Sequence, residues 1–73
     1  RHVFRDVRLA DAVDEVNRYA SRRVVIADPS LAELTVSGSF VAGDTASIVA
    51  AFAAVLPIRV SESGEELLLF RRR

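Results

Sequence analysis

Apolar residues recur at helical spacing in the first third of the chain. The series is Leu9, Ala12, Val13, Val16, Tyr19 and Ala20, with charged residues on the intervening positions. The spacing predicts an amphipathic helix that begins at Leu9 and runs past Tyr19, with the Tyr19 ring on the apolar face. Acidic residues in its first half and arginines at its end complement the helix dipole, and Asp14 is placed to pair with Arg18.

Shorter apolar segments predict three strands in the first half of the chain, at residues 3–7, 24–26 and 34–40. The third strand alternates apolar and polar residues, so one of its faces meets the core and the other meets water. Gly38 in this strand indicates a bulge or a close approach of the backbone. Between the second and third strands, Asp28 and Pro29 predict a capped helical turn that reaches Glu33.

The second predicted helix is apolar on every side. After a stop at Gly43, Asp44 or Thr45 can cap a helix that runs to about Leu56, and its residues 48–56 include no polar side chain. A helix of this kind has to be covered on more than one side. In a small domain, this predicts a helix held between two sheet layers, or between a sheet and the other helix.

The last part of the chain predicts a hairpin that follows Pro57. Two strands, at residues 58–61 and 66–70, are joined by a loop at residues 62–65 that contains Gly64. The three arginines at 71–73 are expected to be solvated. The predicted order is therefore strand-helix-strand, a turn, and strand-helix-strand-strand, a degenerate repeat in one α+β domain that spans residues 1–73.

The final strand has no polar face, since Leu67, Leu68, Leu69 and Phe70 follow one another directly. One explanation is a strand buried on both sides. The other is a strand whose second face or free edge is covered by a partner, by apolar docking or β-augmentation. Leu68→Glu separates the two explanations, because it abolishes folding under the first and binding under the second.

Composition excludes several kinds of chemistry. The 73 residues include no cysteine, one histidine, and ten basic against ten acidic residues. His2 is near the N-terminus, where we expect an exposed side chain, and neighbouring acidic residues such as Glu65 and Glu66 are expected to be solvated. No glycine-rich phosphate loop is present, and the zero net charge does not favour nucleic acid. We therefore expect no catalytic residue, no cofactor, no metal site and no enzyme.

Short motifs along the chain resemble those of one protein family. The matching positions are 4–9, 13, 16–19, 24–26, 28, 31 and 36–40. They resemble the C-terminal periplasmic domain of FecR-family anti-sigma regulators, and Asn17-Arg18-Tyr19 and Val-Ser-Gly-Ser-Phe at 36–40 are the most distinctive. The second half is similar to the broader secretin and TonB N-terminal (STN) fold, in which two helices pack between or against small sheets. The resemblance covers residues 4–70, and it departs from the family at Arg8, where proline is frequent, and at Pro57, near a frequent glycine.

The resemblance implies that this chain is a piece of a longer inner-membrane protein with one span. Its periplasmic part would receive an iron-siderophore signal from the signalling domain of a TonB-dependent outer-membrane transducer. A cytoplasmic part of the same protein would contact an extracytoplasmic-function sigma factor. The domain itself is expected to be a monomer that neither inserts into the membrane nor binds nucleic acid.

The resemblance also assigns roles to residues. Phe4, Leu9, Tyr19, Gly38 and Phe40 are the positions expected to determine the fold. Asn17 and Arg18 are expected to contact a neighbouring strand or a partner, and residues 67–70 are the other candidate partner-binding segment. Two alternatives remain: the signalling domain of a TonB-dependent receptor itself, and a secretin-type assembly domain that forms rings.

Overall fold

The fold is described by a computed structural model that covers residues 1–41 and 44–73. In chain order the elements are β1 (His2–Arg8), α1 (Leu9–Asn17), β2 (Arg23–Ile26), a 3₁₀ turn (Pro29–Leu31), β3 (Thr35–Phe40), α2 (Thr45–Val55), β4 (Ile58–Ser63) and β5 (Glu66–Arg71). This order is the predicted one, and the α+β class is confirmed. No helix within the described ranges is long and apolar enough to cross a membrane.

The strands form two small sheets. One sheet pairs β1 with β3 in antiparallel fashion, and the other has the order β2-β5-β4. In the second sheet, β5 lies in the middle, parallel to β2 and antiparallel to β4. Each sheet therefore combines a strand of the first strand-helix-strand unit (β1, α1, β2) with one or two strands of the second unit (β3, α2, β4, β5).

Both helices and both sheets contribute to a single core. Its buried members are Phe4, Leu9, Ala12, Val13, Val16, Val24, Leu31, Val36, Ile48, Val49, Phe52, Ile58, Leu67 and Leu69. Burial of such side chains contributes about 1.5–3 kcal/mol each relative to exposure, so this cluster dominates the stability of the domain. The helices pack against the inner faces of the sheets, as predicted for Leu9 and the apolar stripe of α1.

The α2 helix is covered on one side only, which corrects the prediction of cover on several sides. Ile48, Val49 and Phe52 are buried, whereas Ala50, Ala54 and other residues of the opposite side are exposed, and Val55 is 66% exposed. Alanine has little surface, so its exposure to water costs little free energy. An apolar helix face made of alanine therefore does not need a covering layer.

An aromatic cluster joins the two-stranded sheet to α2. The Phe40 ring meets the Phe52 ring edge-on with centroids 5.2 Å apart, and the Phe4 ring lies 5.8 Å from that of Phe40. His2, which we expected to be exposed, is instead 7% exposed and stacks on Phe4 at 5.9 Å. Its position on β1 turns the imidazole inward, because alternate residues of a strand share a face and Phe4 is in the core.

The α1 helix ends at Asn17. The spacing of apolar residues had predicted a helix that runs past Tyr19, so the helix is shorter than predicted. Tyr19 is 73% exposed, so its predicted place on the apolar face is wrong. Arg18 pairs with Glu15 at 3.7 Å and not with Asp14. The helix stops early because the Asn17 side chain hydrogen-bonds to β2, which begins six residues later.

A bulge lies on β1, opposite Ser37 and next to the pair formed by Phe4 and Gly38. Two residues of β1, Arg5 and Asp6, oppose the single residue Ser37 of β3. Asp6 has φ +51°, and its N–H donates to Ser37 Oγ at 2.8 Å. Gly38 has φ +147°, and a Cβ there would lie 3.1 Å from the Phe40 ring. The close approach predicted at Gly38 thus involves an aromatic ring, and the bulge belongs to β1.

The closing hairpin is tighter than predicted. β4 extends to Ser63, so the connection to β5 contains only Gly64 and Glu65, and Gly64 has φ +59°. A glycine with positive φ at the first of two positions is typical of a type II′ turn. Arg71, expected in a solvated tail, belongs to β5 and donates to Ser30 Oγ at 2.9 Å.

Two aspartates cap α2 and the 3₁₀ turn. Asp44, one of the two predicted candidates, caps α2 and accepts a hydrogen bond from Ser47 Oγ at 2.8 Å. Asp28 accepts from Ser30 Oγ at 2.8 Å. These hydroxyl and backbone N–H donors hold the pKa of both carboxyl groups below the ordinary value. The predicted stop at Gly43 lies outside the described residues.

Candidate functional site

The described side chains include no cluster of three or more His, Cys, Asp and Glu residues that could hold a metal ion. Three clefts, with volumes of about 260, 320 and 220 Å³, lie at the junctions between a helix and a strand. His2 borders the second of these clefts, but no serine or cysteine nucleophile lines it with the imidazole. The surfaces of the two sheets are consequently more informative than the clefts.

The four apolar residues of β5 divide between two faces. Leu67 is 1% exposed and Leu69 is 0% exposed, and both belong to the core. Leu68 and Phe70 point to the opposite side, are half-buried, and do not join the core cluster. Of the predicted partner-binding run, only Leu68 and Phe70 are therefore on a surface that a partner can reach.

The neighbouring strands complete this surface. Val25 of β2 pairs with Leu68, while Ser61 and Arg59 of β4 pair with Leu68 and Phe70. We call the surface formed by these five residues the outer sheet face. Both helices pack on the other side of the sheet, where Leu67 and Leu69 are buried. No helix or strand of the described ranges covers the outer sheet face.

Positive charge surrounds the apolar centre of the outer sheet face. The guanidinium carbon of Arg59 lies 4.7 Å from the centroid of the Phe70 ring, a cation–π arrangement. Arg23 of β2 and Glu66 of β5 are register partners at one end of the face. Arg72 lies two residues after Phe70, so its side chain is on the same side of the sheet. All four charged residues are exposed. The outer sheet face and these flanking residues together carry three arginines and one glutamate, a net charge of +2.

Asn17 lies at a different place, on the free edge of β2. Its Nδ2 donates to Val24 O at 2.8 Å, and its Oδ1 accepts from Val24 N at 2.8 Å. In a parallel pair, alternate residues bond to the neighbouring strand, and here Arg23 N–H donates to Glu65 O just before β5 and Ala27 N–H donates to Leu69 O of β5. The Val24 groups therefore point outward, and the Asn17 amide occupies the position of an added strand. We call this pair of hydrogen bonds the Asn17 clamp.

The structure separates the residues that the sequence singled out. Asn17 contacts a neighbouring strand, which is one of the two contacts predicted for it. Arg18 is exposed beside Glu15 on α1, away from the outer sheet face, and its contact with a partner stays a prediction. Only Leu68 and Phe70 share one surface.

Arg59 and Val25 were missed by the sequence reasoning. Both residues have ordinary apolar neighbours in the sequence, and their local spacing does not indicate a function for either of them. Their place beside Leu68 and Phe70 depends on the register of β2 and β4 against β5. A two-residue hairpin assumed at residues 64 and 65 would have placed Arg59 opposite Phe70, but it would not have placed Val25.

Comparisons with known proteins assign no family to the chain. No protein-family model matches it, and no curated protein matches it either. Its function has to be inferred from the outer sheet face, the Asn17 clamp and the motifs described above.

Proposed function

We propose that the chain is a non-catalytic protein-binding module, the periplasmic partner-binding domain of a FecR-like anti-sigma regulator. The observation that carries the proposal is the outer sheet face. It places Leu68 and Phe70 on the uncovered side of a central strand and surrounds them with arginines. An apolar centre with a charged, solvated rim is typical of the surfaces by which proteins bind one another.

The partner in this proposal is the signalling domain of a TonB-dependent outer-membrane transducer. A net charge of +2 on the outer sheet face and its flanking residues favours a partner surface that carries carboxylates around an apolar centre. Binding would pass an iron-siderophore signal through a membrane span to a cytoplasmic part that contacts the sigma factor. The motif Asn17-Arg18-Tyr19, the segment 36–40 and the observed order of elements support the proposed family.

The physical basis of binding is burial of the apolar centre, with the arginines setting orientation and association rate. Apolar area that leaves water on binding contributes about 25 cal/mol per Å² before the costs of association are subtracted. The Arg59 guanidinium lies against one face of the Phe70 ring, and this contact favours one orientation of the ring before a partner binds. Preorganised aromatic side chains lose little conformational entropy on binding.

Calorimetric titration of the 73-residue chain with the signalling domain of a TonB-dependent transducer from the same organism tests the proposal. Leu68→Glu is expected to weaken binding at least about 100-fold, because a carboxylate buried without a partner costs several kcal/mol. Val3→Glu is the matched control: Val3 is a strand residue, 58% exposed, on the two-stranded sheet. It introduces the same charge and is expected to leave binding unchanged.

Arg59→Glu provides a second variant, since Arg59 is exposed and its replacement does not disturb the core. Charge reversal is expected to slow association and to weaken its dependence on salt. Equal affinities of the wild-type chain and of Leu68→Glu would refute the proposed surface. Absence of binding by the wild-type chain, together with concentration-dependent rings, would refute the proposed function and favour the secretin-type alternative.

A further inference from the structure

The two sheets leave four strand edges without a neighbouring strand, and three of them are interrupted. β1 contains the bulge at Arg5 and Asp6, and β3 contains Gly38 at φ +147°. The Asn17 clamp occupies the outward groups of β2 at Val24. Bulges and covered edges are devices that prevent a further strand from pairing. The β4 edge carries none of these devices.

The turn geometry shows which backbone groups of β4 point outward. In a hairpin with a two-residue connection, the residues that flank the turn form a hydrogen-bonded pair, here Ser63 with Glu66. Alternate residues of β4 then bond to β5, and the N–H and C=O groups of Val60 and Glu62 face away from it. No hydrogen bond to these groups is found among the described residues. We call these two residues the open β4 edge.

We propose that the partner adds an extended strand to the open β4 edge, so that the three-stranded sheet becomes four-stranded. The proposal rests on the proposed function and names the edge through which that function is exercised. An extended main chain matches the spacing of the Val60 and Glu62 groups, and the side chains of the added strand lie beside the outer sheet face.

Charge along the edge indicates the chemistry of the added strand. Glu62 is paired with Arg22 at 2.9 Å, whereas Arg59 has no ion pair among the described side chains. A carboxylate opposite Arg59 on the added strand would form a cross-strand ion pair with its guanidinium. The occupant is therefore an extended segment of the partner that carries an acidic residue at that position.

A second copy of the chain fits the edge less well. In antiparallel pairing about a twofold axis, the outward groups of Val60 can meet those of Val60 or Glu62 of the copy. The first register places Arg59 opposite Ser61 of the copy, and the second places it opposite Ser63. Neither register provides a counter-charge for Arg59, so self-pairing lacks the complementarity that a partner strand can supply.

The test removes one outward N–H from the open β4 edge. Glu62→Pro deletes that N–H, and proline is tolerated on an edge strand where the N–H faces solvent. Glu62→Ala is the matched control, because it also loses the ion pair with Arg22 but keeps the N–H. In titrations with the same transducer signalling domain, Glu62→Pro is expected to bind at least about tenfold more weakly than Glu62→Ala. Equal affinities of the two variants would overturn the proposed edge.

A measurement without substitution keeps the proposal testable if Glu62→Pro does not fold. The amide hydrogens of Val60 and Glu62 are expected to exchange rapidly in the free chain and slowly in the complex. Unchanged exchange at both amides in a complex that forms would overturn the strand addition and leave the proposed function standing. Absence of any complex with the wild-type chain would instead overturn the proposed function, and with it the edge. Protection of both amides in the isolated chain at high concentration would show the second copy as the occupant.

Discussion

The Asn17 clamp makes a quantitative prediction about stability. Asn17→Ala removes both hydrogen bonds to Val24, and Asn17→Asp keeps the shape of the side chain but exchanges its NH₂ donor for an acceptor oxygen. The aspartate can still accept from Val24 N–H. Its second oxygen then faces Val24 O at a position where the structure has a donor 2.8 Å away.

The expected magnitudes follow from the two bonds. Each contributes about 0.5–1.5 kcal/mol net, so Asn17→Ala should lower the free energy of unfolding by about 1–3 kcal/mol. Asn17→Asp should cost at least as much at pH 7, because one bond becomes an oxygen–oxygen repulsion. The repulsion raises the folded-state pKa of this aspartate above its ordinary value of about 3.9, and protonation restores a donor. Its deficit relative to Asn17→Ala should therefore shrink as pH falls through the raised pKa and should be lost below about pH 4.

Urea unfolding followed by far-ultraviolet circular dichroism measures these differences. With a slope of about 1 kcal/mol per molar urea, a loss of 2 kcal/mol moves the midpoint by about 2 M. Arg18→Ala is the control, since Arg18 is exposed and makes one ion pair at 3.7 Å, and a change within about 0.5 kcal/mol is expected. If Asn17→Ala and Arg18→Ala shifted the midpoint equally, the clamp would not stabilise the fold.

Two further predictions concern a glycine and a helix cap. Gly38→Ala should destabilise the chain by about 1–3 kcal/mol, because alanine is strained at φ +147° and its Cβ would meet the Phe40 ring. Gly64→Ala, where a Cβ meets open space, should cost about 1 kcal/mol, and a reversed order of the two urea midpoints would contradict this. Asp44→Asn keeps a good cap, so stability at pH 7 should change little. Hydrogen bonds from Ser47 lower the folded-state pKa of Asp44 below 3.8, so the wild type loses this stabilisation as pH falls through the folded pKa. The Asn variant should therefore lose less stability than the wild type between pH 4 and 2. Equal losses would refute this.

Local patterns predicted the elements well where the pattern and the environment agree. The alternation at 34–40, the apolar stripe of α1 and the Asp44 cap are properties of neighbouring residues, and the structure has each of them. Tyr19 and His2 depend on the tertiary structure. Tyr19 continues the helical spacing, but the helix ends where Asn17 meets β2, a contact with no local signal. His2 is turned inward because its strand pairs with β3 far along the chain.

The candidate site was predictable in part for the same reason. The unbroken apolar run at 67–70 indicated that one strand is apolar on both faces. That Leu68 and Phe70 share the face opposite the core follows from strand alternation alone. Arg59 and Val25 reach that surface through pairing with β5. Pairing register depends on long-range contacts that one sequence does not encode locally. The open β4 edge required, in addition, knowledge that the other edges are interrupted.

The central position of β5 has a consequence for the time at which this domain acquires its structure. During synthesis, β5 leaves the ribosome after every other strand and helix of the domain, yet both β2 and β4 pair only with β5. Until Leu67 and Leu69 are present, Val24 and Ile58 have no sheet to join. The three-stranded sheet, and the part of the core that it covers, can therefore form only after the last strand has been synthesised.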